Sequence, residues 1–298
     1  MTLSPRTVEA LTLAGLDPVE VEALCIRTLA EDLAGGVDVT SAATIAADLV
    51  GTAAFVPRQD GVVAGIAVAM ACFDVTGPVT WGHVGNDGPV VKGTTVLEVT
   101  GPVRTLLTAE RSALNLLCHL SGVATLTASW VEAVAGTSAQ IRDTRKTTPG
   151  LRALEKAAVV TGGGRNHRMS LSDAALIKDN HVVAAGGVVP AFEAVRAQWP
   201  DLEVEVECDS VAQVREVVAA GADLVLLDNM SLDDLRASVA ICRPASVRTE
   251  ASGGLTLDRA RAVAETGVDF ISVGALTHSA PVLDLGLDLQ GVRDAAHG

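Results

Sequence analysis

Positive charge is scarce in this chain of 298 residues. Lysine and arginine total 22 against 36 aspartates and glutamates, a formal net charge of −14. We therefore do not expect so acidic a protein to bind nucleic acids or anionic membranes in general. Aromatic residues make up only 2% and tyrosine is absent, yet 49% of the chain is hydrophobic. A chain with that much alanine, valine and leucine can bury a core, which excludes disordered and fibrous proteins.

The sequence shows no closely spaced cysteine pairs, no visible signal peptide and no apolar run from which we predict a membrane span. The five cysteines never occur in CxxC or CxxH spacing, which predicts reduced thiols in the core rather than disulfides or a zinc site. The N-terminal sequence MTLSPRTVEA has no basic region followed by an apolar stretch, so we expect a cytoplasmic protein. Residues 61–73 are too short to cross a bilayer. Residues 112–131 are uncharged but divided at Ser121-Gly122, which predicts two buried helices.

Two patterns follow each other along the chain, whose length allows one large or two ordinary domains. The first third mixes helices at 18–33 and 103–120 with strands at 51–56, 79–84 and 95–99. From about residue 138, strands at 139–142, 174–177, 204–206, 224–227, 247–249 and 270–273 alternate with helices at 211–220, 232–241 and 257–266. This regular alternation predicts βα units in a parallel sheet or barrel.

Basic residues concentrate in one segment despite the acidic average. Residues 142–178 contain eight lysines and arginines against three acidic residues, a local net charge of +5. An island of this size indicates a small anionic ligand rather than a polymer. We expect its cations to converge on one face of the barrel: Arg145, Lys146, His167, Arg168 and Lys178. The apolar Ala-Leu-Ile before Lys178 predicts a buried lysine, which is rare without a function.

Carboxylates and glycines follow the later strands, and the carboxyl ends of barrel strands share the face where active sites form. Glu207 and Asp228 are hard oxygen ligands that suit Mg²⁺, although a structural ion-pair network is an alternative. Ser252-Gly253-Gly254 and Gly274 leave backbone N–H groups accessible to a phosphate. Glu205 alternates with Glu207, so the two are expected on one face.

Several strings resemble the quinolinate phosphoribosyltransferase family, also called nicotinate-nucleotide pyrophosphorylase (carboxylating). They are DTRKTTPGLR (143–152), GGGRNHR (162–168), LIKDNH (176–181), LDNM (227–230), EASGG (250–254) and SVGALTHS (272–279), with EDL (31–33), DVT (38–40) and ER (110–111) in the first third. The resemblance implies an N-terminal α/β sandwich over residues 1–115, an incomplete TIM-like α/β barrel over 116–275, and a segment 276–298 that returns to the first domain.

The same resemblance implies a reaction and a distribution of roles. The family makes nicotinate mononucleotide, pyrophosphate and CO₂ from quinolinate and 5-phosphoribosyl-1-pyrophosphate with Mg²⁺, in de novo NAD biosynthesis. Its members are homodimers or larger, with the arginine matching Arg111 reaching the neighbouring subunit's site. The implied roles are carboxylate binding by Arg111, Arg145, His167 and Arg168, donor contacts by Lys146 and Lys178, ribose and metal contacts by Glu207 and Asp228, and phosphate binding by Ser252, Gly253, Gly254 and Gly274.

Three other functions compete with this one. A class I aldolase-like barrel would use Lys178 as a Schiff base, but the many arginines and the Glu207/Asp228 pair count against it. A non-catalytic phosphate or dicarboxylate binder would not need that carboxylate pair. A relative that takes nicotinate would share the fold, whereas the several cations for carboxylates favour the dicarboxylate quinolinate.

Overall fold

The computed structural model describes residues 2–294, which pack into two compact units. The first unit contains the chain up to Leu126, Ala153–Gly162 and the chain from Ala280, and the second contains Thr127–Arg152 and Gly163–Ser279. One unit is therefore assembled from distant pieces of the sequence. The predicted domain limits after residues 115 and 275 stay predictions.

The first unit combines helices with an antiparallel sheet. The sheet has the strand order β12-β1-β5-β3, and β2 pairs separately with β4. The helices are α1 (Pro5–Leu13), α2 (Pro18–Leu33), α3 (Val39–Thr44), α4 (Ile66–Thr76), most of α5 (Val103–Ala133) and nearly all of α6 (Arg152–Thr161). The strands are β1 (Leu49–Pro57), β2 (Gly61–Val63), β3 (Thr80–Val84), β4 (Gly88–Val90), β5 (Leu97–Pro102) and β12 (Leu285–Asp294).

Helix α2 spans the predicted residues because both of its ends are encoded locally. The Asp17 side chain accepts a hydrogen bond from the Val19 N–H, and Pro18 occupies the first turn, where its missing N–H costs nothing. Ala34 ends the helix in the left-handed conformation, followed by Gly35 at φ 77°. The prediction for 18–33 is confirmed.

The prediction of two helices within residues 112–131 is wrong, because α5 is one continuous helix of 31 residues. Gly122 allows α5 to pack closely against the backbone at Pro281, because a Cβ at this position would overlap the Pro281 carbonyl oxygen. The Ser121 hydroxyl accepts from the Ala64 N–H at 3.1 Å. By length and composition α5 could cross a membrane, but 56% of its most apolar window is buried, as in the core helix of a soluble protein.

The second unit is an incomplete parallel barrel with six strands in the order β6-β11-β10-β9-β8-β7. Neighbouring strands are consecutive in sequence except that β6 lies beside β11, so the sheet curls round and stays open between β6 and β7. The strands are β6 (Gln140–Arg142), β7 (Ala175–Ile177), β8 (Val204–Cys208), β9 (Leu224–Asp228), β10 (Arg248–Ser252) and β11 (Phe270–Ser272). The predicted strands are all present, with ends that differ by up to three residues.

Helices connect these strands as the sequence pattern predicts. They are α7 (Asp179–Ala185), α8 (Val188–Gln198), α9 (Val211–Ala219), α10 (Leu232–Cys242), α11 (Leu257–Ala264) and the single turn α12 (Ala275–His278). Beside the opening of the barrel, Arg165 forms a parallel bridge with Arg142. The loop 163–168 is thereby held against the outer side of β6, where it brings His167 and Arg168 to the barrel.

Candidate active site

Two carboxylates and a serine lie at the carboxyl ends of adjacent strands. Glu207 is in register with Leu226, so Asp228, two residues further along β9, shares its face of the sheet. Asp228 is in turn the register partner of Ser252 on β10. Glu207 and Asp228 are half-buried, and Asp228 makes no ion pair among the residues that the structure describes.

A tight turn joins this edge to the glycines after β10. Asn229 adopts φ 54°, and its N–H donates to the carbonyl oxygen of Ser252 at 3.0 Å. Gly253 has φ 93°, and a Cβ at this position would overlap the Asn229 side chain. The turn requires glycine for both reasons, and it holds the segment Ser252–Gly254 beside Asp228.

Lys146 and Gly274 are brought together across the barrel face. A Cβ on Gly274 would lie 2.8 Å from Cδ of Lys146, so the lysine stem passes directly over this glycine. The Thr277 hydroxyl donates to the Lys146 carbonyl oxygen at 2.8 Å, which fixes the backbone below the side chain. The exposed ammonium group can thus reach an anion bound near Gly274.

The environment of Lys178 differs from the one expected from the sequence. Its side chain is 49% exposed, and Nζ lies 3.7 Å from Oε2 of Glu207. The expectation of a buried lysine is wrong, because the residue follows the last position of β7 and leaves the sheet there. The Lys178 N–H donates to Nδ1 of His181 at 3.0 Å, which gives His181 a supporting contact to this backbone.

Two arginines converge without a common partner. The pKa of Arg168 is lowered by burial and by the positive charge of Arg145, while the negative charges of Glu205 and Asp173 act in the opposite direction. Nε of Arg145 is buried and has no hydrogen-bond partner among the described residues. Among the described residues, the Arg168 side chain donates one bond, from Nη1 to the Ala174 carbonyl oxygen at 2.9 Å. Neighbouring guanidinium groups with unused donors match the fork geometry of a carboxylate ligand.

His167 has both ring nitrogens engaged within the barrel unit. Nδ1 accepts from the backbone N–H of Arg168 at 2.7 Å, and Nε2 lies 2.8 Å from Oε2 of Glu205. An Nδ1 that accepts requires the proton on Nε2 in the neutral ring, so Nε2 donates to Glu205. The backbone N–H of His167 donates to Oδ1 of the buried Asp143 at 2.8 Å.

Behind His167 lies a buried pair of carboxyl groups, Glu205 and Glu250, whose pairing the sequence does not indicate. Glu205 and Glu250 each place an oxygen within 4.8 Å of the other and of a His167 nitrogen. Burial raises the pKa of both to about 7, and the charge of Glu205 contributes to the rise at Glu250. Arg142 offsets this cost, with Nη1 2.6 Å from Oε2 of Glu250 and Cζ 4.5 Å from the Phe270 ring centre.

The signal that could have located this network is the Val-Glu-Val-Glu-Cys run. Glu205 and Glu207 do alternate with buried apolar residues on β8, as predicted. Glu205, however, is more deeply buried than Glu207 and is only 2% exposed. A carboxylate buried to this extent needs hydrogen-bonding or charged partners. Arg111 belongs to the other unit, where it is exposed on α5.

Comparison with known proteins gives consistent matches. The profiles described as quinolinate phosphoribosyl transferase, N-terminal domain, and the corresponding C-terminal domain match residues 38–121 and 123–288. Nicotinate-nucleotide pyrophosphorylase [carboxylating] of Mycobacterium leprae is 51% identical over 269 residues, covering 88% of this chain and 95% of that protein. The human protein of that name is 41% identical over 281 residues, covering 92% and 93%.

A solved structure matches the whole architecture. The nicotinate-nucleotide pyrophosphorylase from Francisella tularensis has a TM-score of 0.88 and 38% identity, covering 92% of this chain and 98% of that one. The incomplete barrel, with cations and carboxylates at its strand ends, defines an α/β-barrel enzyme for small anionic substrates. The chain belongs to the quinolinate phosphoribosyltransferase family, which confirms the resemblance drawn from its motifs.

Proposed function

We propose that the protein transfers the phosphoribosyl group of 5-phosphoribosyl-1-pyrophosphate to quinolinate, with decarboxylation to nicotinate mononucleotide. The observation that carries this proposal is the convergence of Arg145 and Arg168, with a buried and unpartnered Nε on Arg145. Glu205 and Asp173 offset part of the repulsion at Arg168, and an anion bound between the two guanidinium groups would offset the rest. Quinolinate, a dianion with neighbouring carboxylates, supplies that anion.

The remaining groups suit the phosphoribosyl donor. Lys146 and Lys178 would contact its pyrophosphate, while Glu207 and Asp228 would contact its ribose hydroxyls. The turn Ser252–Gly254 and Gly274 would bind the 5-phosphate through backbone N–H groups. Lys178 faces a carboxylate at 3.7 Å rather than the apolar pocket or second cation that activates Schiff-base lysines, which supports transfer over an aldolase reaction.

Mg²⁺ fits the donor set at the carboxylate edge. Glu207 and Asp228 present hard oxygen ligands on one face of adjacent strands, and both are half-buried. Such a site, with one or two carboxylates and substrate phosphates, is typical of this ion. When bound, the metal would neutralise charge on the departing pyrophosphate.

The side chains act mainly by positioning and by charge. The ring nitrogen of quinolinate forms a bond to the anomeric carbon of the ribose, and the bond from that carbon to pyrophosphate breaks. Holding the two reactants in line makes this displacement effectively unimolecular. The 2-carboxylate then leaves as CO₂, its bonding electrons pass into the cationic pyridinium ring, and solvent supplies the proton at that carbon.

A second subunit would complete the site. Arg111 is exposed on α5, and we propose that in a homodimer or larger assembly it reaches the neighbour's quinolinate. Its replacement by alanine should then affect quinolinate more than the phosphoribosyl donor. A cytoplasmic location stays a prediction.

The direct test mixes purified protein with quinolinate, 5-phosphoribosyl-1-pyrophosphate and Mg²⁺. We expect equimolar release of CO₂ and nicotinate mononucleotide, and no nucleotide when nicotinate replaces quinolinate. Turnover with nicotinate alone would assign the site to a monocarboxylate, and binding without turnover would leave only a ligand-binding protein. Trapping of a carbonyl substrate on Lys178 by borohydride would establish the aldolase alternative.

Substitution of Lys146 or Lys178 distinguishes a role in catalysis from a role in folding. Lys146→Ala and Lys178→Ala should each abolish turnover, because both side chains are exposed at the site and contribute little to the core. Circular dichroism and the melting temperature should remain near those of the unmodified protein. Collapse of the fold in both variants would assign these lysines a structural role.

A further inference from the structure

His167 has no ring nitrogen left to bind a substrate carboxylate while its observed bonds persist. Nε2 donates to Glu205 and Nδ1 accepts from the Arg168 backbone, and the side chain is only 9% exposed. A histidine placed this way acts on the backbone that follows it. Its direct neighbour in sequence is Arg168, one of the two converging arginines.

We propose, on the basis of the proposed function, that Glu205 is a positioning residue for quinolinate binding, acting through His167 on Arg168. The Glu205 carboxylate holds the His167 ring in its Nε2–H tautomer. The opposite nitrogen, Nδ1, thereby becomes an acceptor and anchors the Arg168 N–H at 2.7 Å. Arg168 is thus fixed at its backbone as well as at its guanidinium group, which bonds the Ala174 carbonyl oxygen.

The surroundings of Glu205 are built to keep this carboxyl group in place. Its side chain is 3% exposed. Glu250, whose side chain is fully buried, lies beside it, with Oε2 2.6 Å from Nη1 of Arg142. His167, Glu205 and Glu250 are residue types that can bind a metal ion. The Arg142 guanidinium, however, already compensates the negative charge of the carboxyl groups.

The two carboxyl groups also retain capacity for one more bond each. Oε1 of Glu205 and Oε1 of Glu250 are buried and have no hydrogen-bond partner among the described residues, although Oε1 of Glu250 lies 3.5 Å from Nε2 of His167. An amide in place of Glu205 could still accept from His167 Nε2 through its oxygen and donate to Glu250 through its nitrogen. Glu205→Gln therefore preserves the positioning bond, whereas Glu205→Leu removes it.

The experiment compares these two variants with Glu193→Gln, which removes an exposed carboxylate on α8 of the same unit. Glu205→Leu should raise the KM and Kd for quinolinate by about tenfold or more, as expected when a binding group is misplaced. The KM for the phosphoribosyl donor should change little. Glu205→Gln and Glu193→Gln should retain quinolinate affinity. A normal quinolinate affinity in Glu205→Leu, or an equal defect in Glu205→Gln, would overturn the proposal.

A measurement on the unmodified protein keeps the proposal testable where Glu205→Leu does not fold. In ¹⁵N NMR spectra, with the His167 signals assigned by their loss in His167→Gln, the ring should appear as the neutral Nε2–H tautomer and keep that state when quinolinate is added. A doubly protonated ring in the complex would mean that His167 binds the carboxylate itself. Failure of the unmodified protein to bind quinolinate would instead remove the proposed function and leave the tautomer result intact.

Discussion

Glu250 shows how a single buried group can set a pH dependence for the fold. Burial raises its pKa from 4.5 to about 7, so the folded state binds a proton that the unfolded state releases. Stability from this group is therefore fully present below about pH 4.5 and is lost as the pH rises through 7. Burial raises the pKa of Glu205 to about 7 as well, so between pH 5 and 7 we expect the free energy of unfolding to fall by about 1.4 kcal/mol per pH unit for each of the two groups.

Chemical denaturation across this pH range measures that slope. Glu250→Gln should reduce it by about half, because the amide is permanently neutral while Glu205 still titrates, and the amide oxygen can still accept from Arg142. Glu193→Gln, which changes an exposed carboxylate on α8, should leave the slope in place. An unchanged slope in Glu250→Gln would show that the proton resides elsewhere.

Substitution of Arg145 tests whether this single side chain binds a substrate carboxylate. Arg145→Lys keeps the positive charge but loses the planar fork that matches a carboxylate. Since hydrogen bonds to charged groups contribute about 1.5–3 kcal/mol, we expect the KM for quinolinate to rise about tenfold or more, with the donor less affected. Steady-state kinetics with each substrate varied would measure this. Arg236→Lys, at an exposed surface pair, is the control, and equal effects on both substrates would exclude the carboxylate role.

At the scale of elements, Gly122 decides whether α5 stays packed. Alanine favours a helix over glycine by about 1 kcal/mol, but its Cβ would overlap the Pro281 carbonyl oxygen, which no side-chain rotation relieves. Overpacking typically costs about 1–3 kcal/mol, and backbone contact places Gly122→Ala at the upper end. We therefore expect a net destabilisation in thermal melts.

Gly36→Ala is the matched control, because its nearest contact would be 3.4 Å away. This variant should melt near the temperature of the unmodified protein. A Gly122→Ala protein that melts higher than the original would mean that the helix propensity of alanine outweighs the contact with Pro281.

The same helix shows where sequence reasoning reaches its limit. Helix α2 could be predicted to the residue since Asp17, Pro18 and Gly35 are local signals. Ser121-Gly122 gives an equally clear local signal for a break, yet its meaning depends on Pro281, a partner far away in sequence. In the site, the charged strand ends could be predicted from periodicity, whereas the bonds of His167 depend on Glu205 and on the folded barrel.

At the scale of the whole molecule, subunit mixing tests the proposed role of Arg111. Arg111→Ala and Lys178→Ala proteins should each be inactive or nearly so. If Arg111 acts in the neighbour's site, mixed dimers contain one site with neither substitution, and activity should return when differently tagged chains are co-expressed. The activity of affinity-purified mixed dimers measures this recovery.

Lys146→Ala mixed with Lys178→Ala is the control for that experiment. Both lysines belong to the barrel of one chain, so every site of the mixed dimer would carry one substitution and should remain inactive. Absence of recovery in the Arg111 mixture as well would place Arg111 in the site of its own chain or outside it.

The order of synthesis need not be the order of folding in this protein. β1 pairs with β12 from Leu49 opposite Asp294 to Pro57 opposite Leu285, so the ribosome makes every barrel strand before β1 receives this neighbour. Until then the emerging chain presents an unpaired strand edge, which invites association with other chains. We expect the growing polypeptide to depend on chaperones throughout translation of the barrel, and the earliest sheet to be translated to be the last one completed.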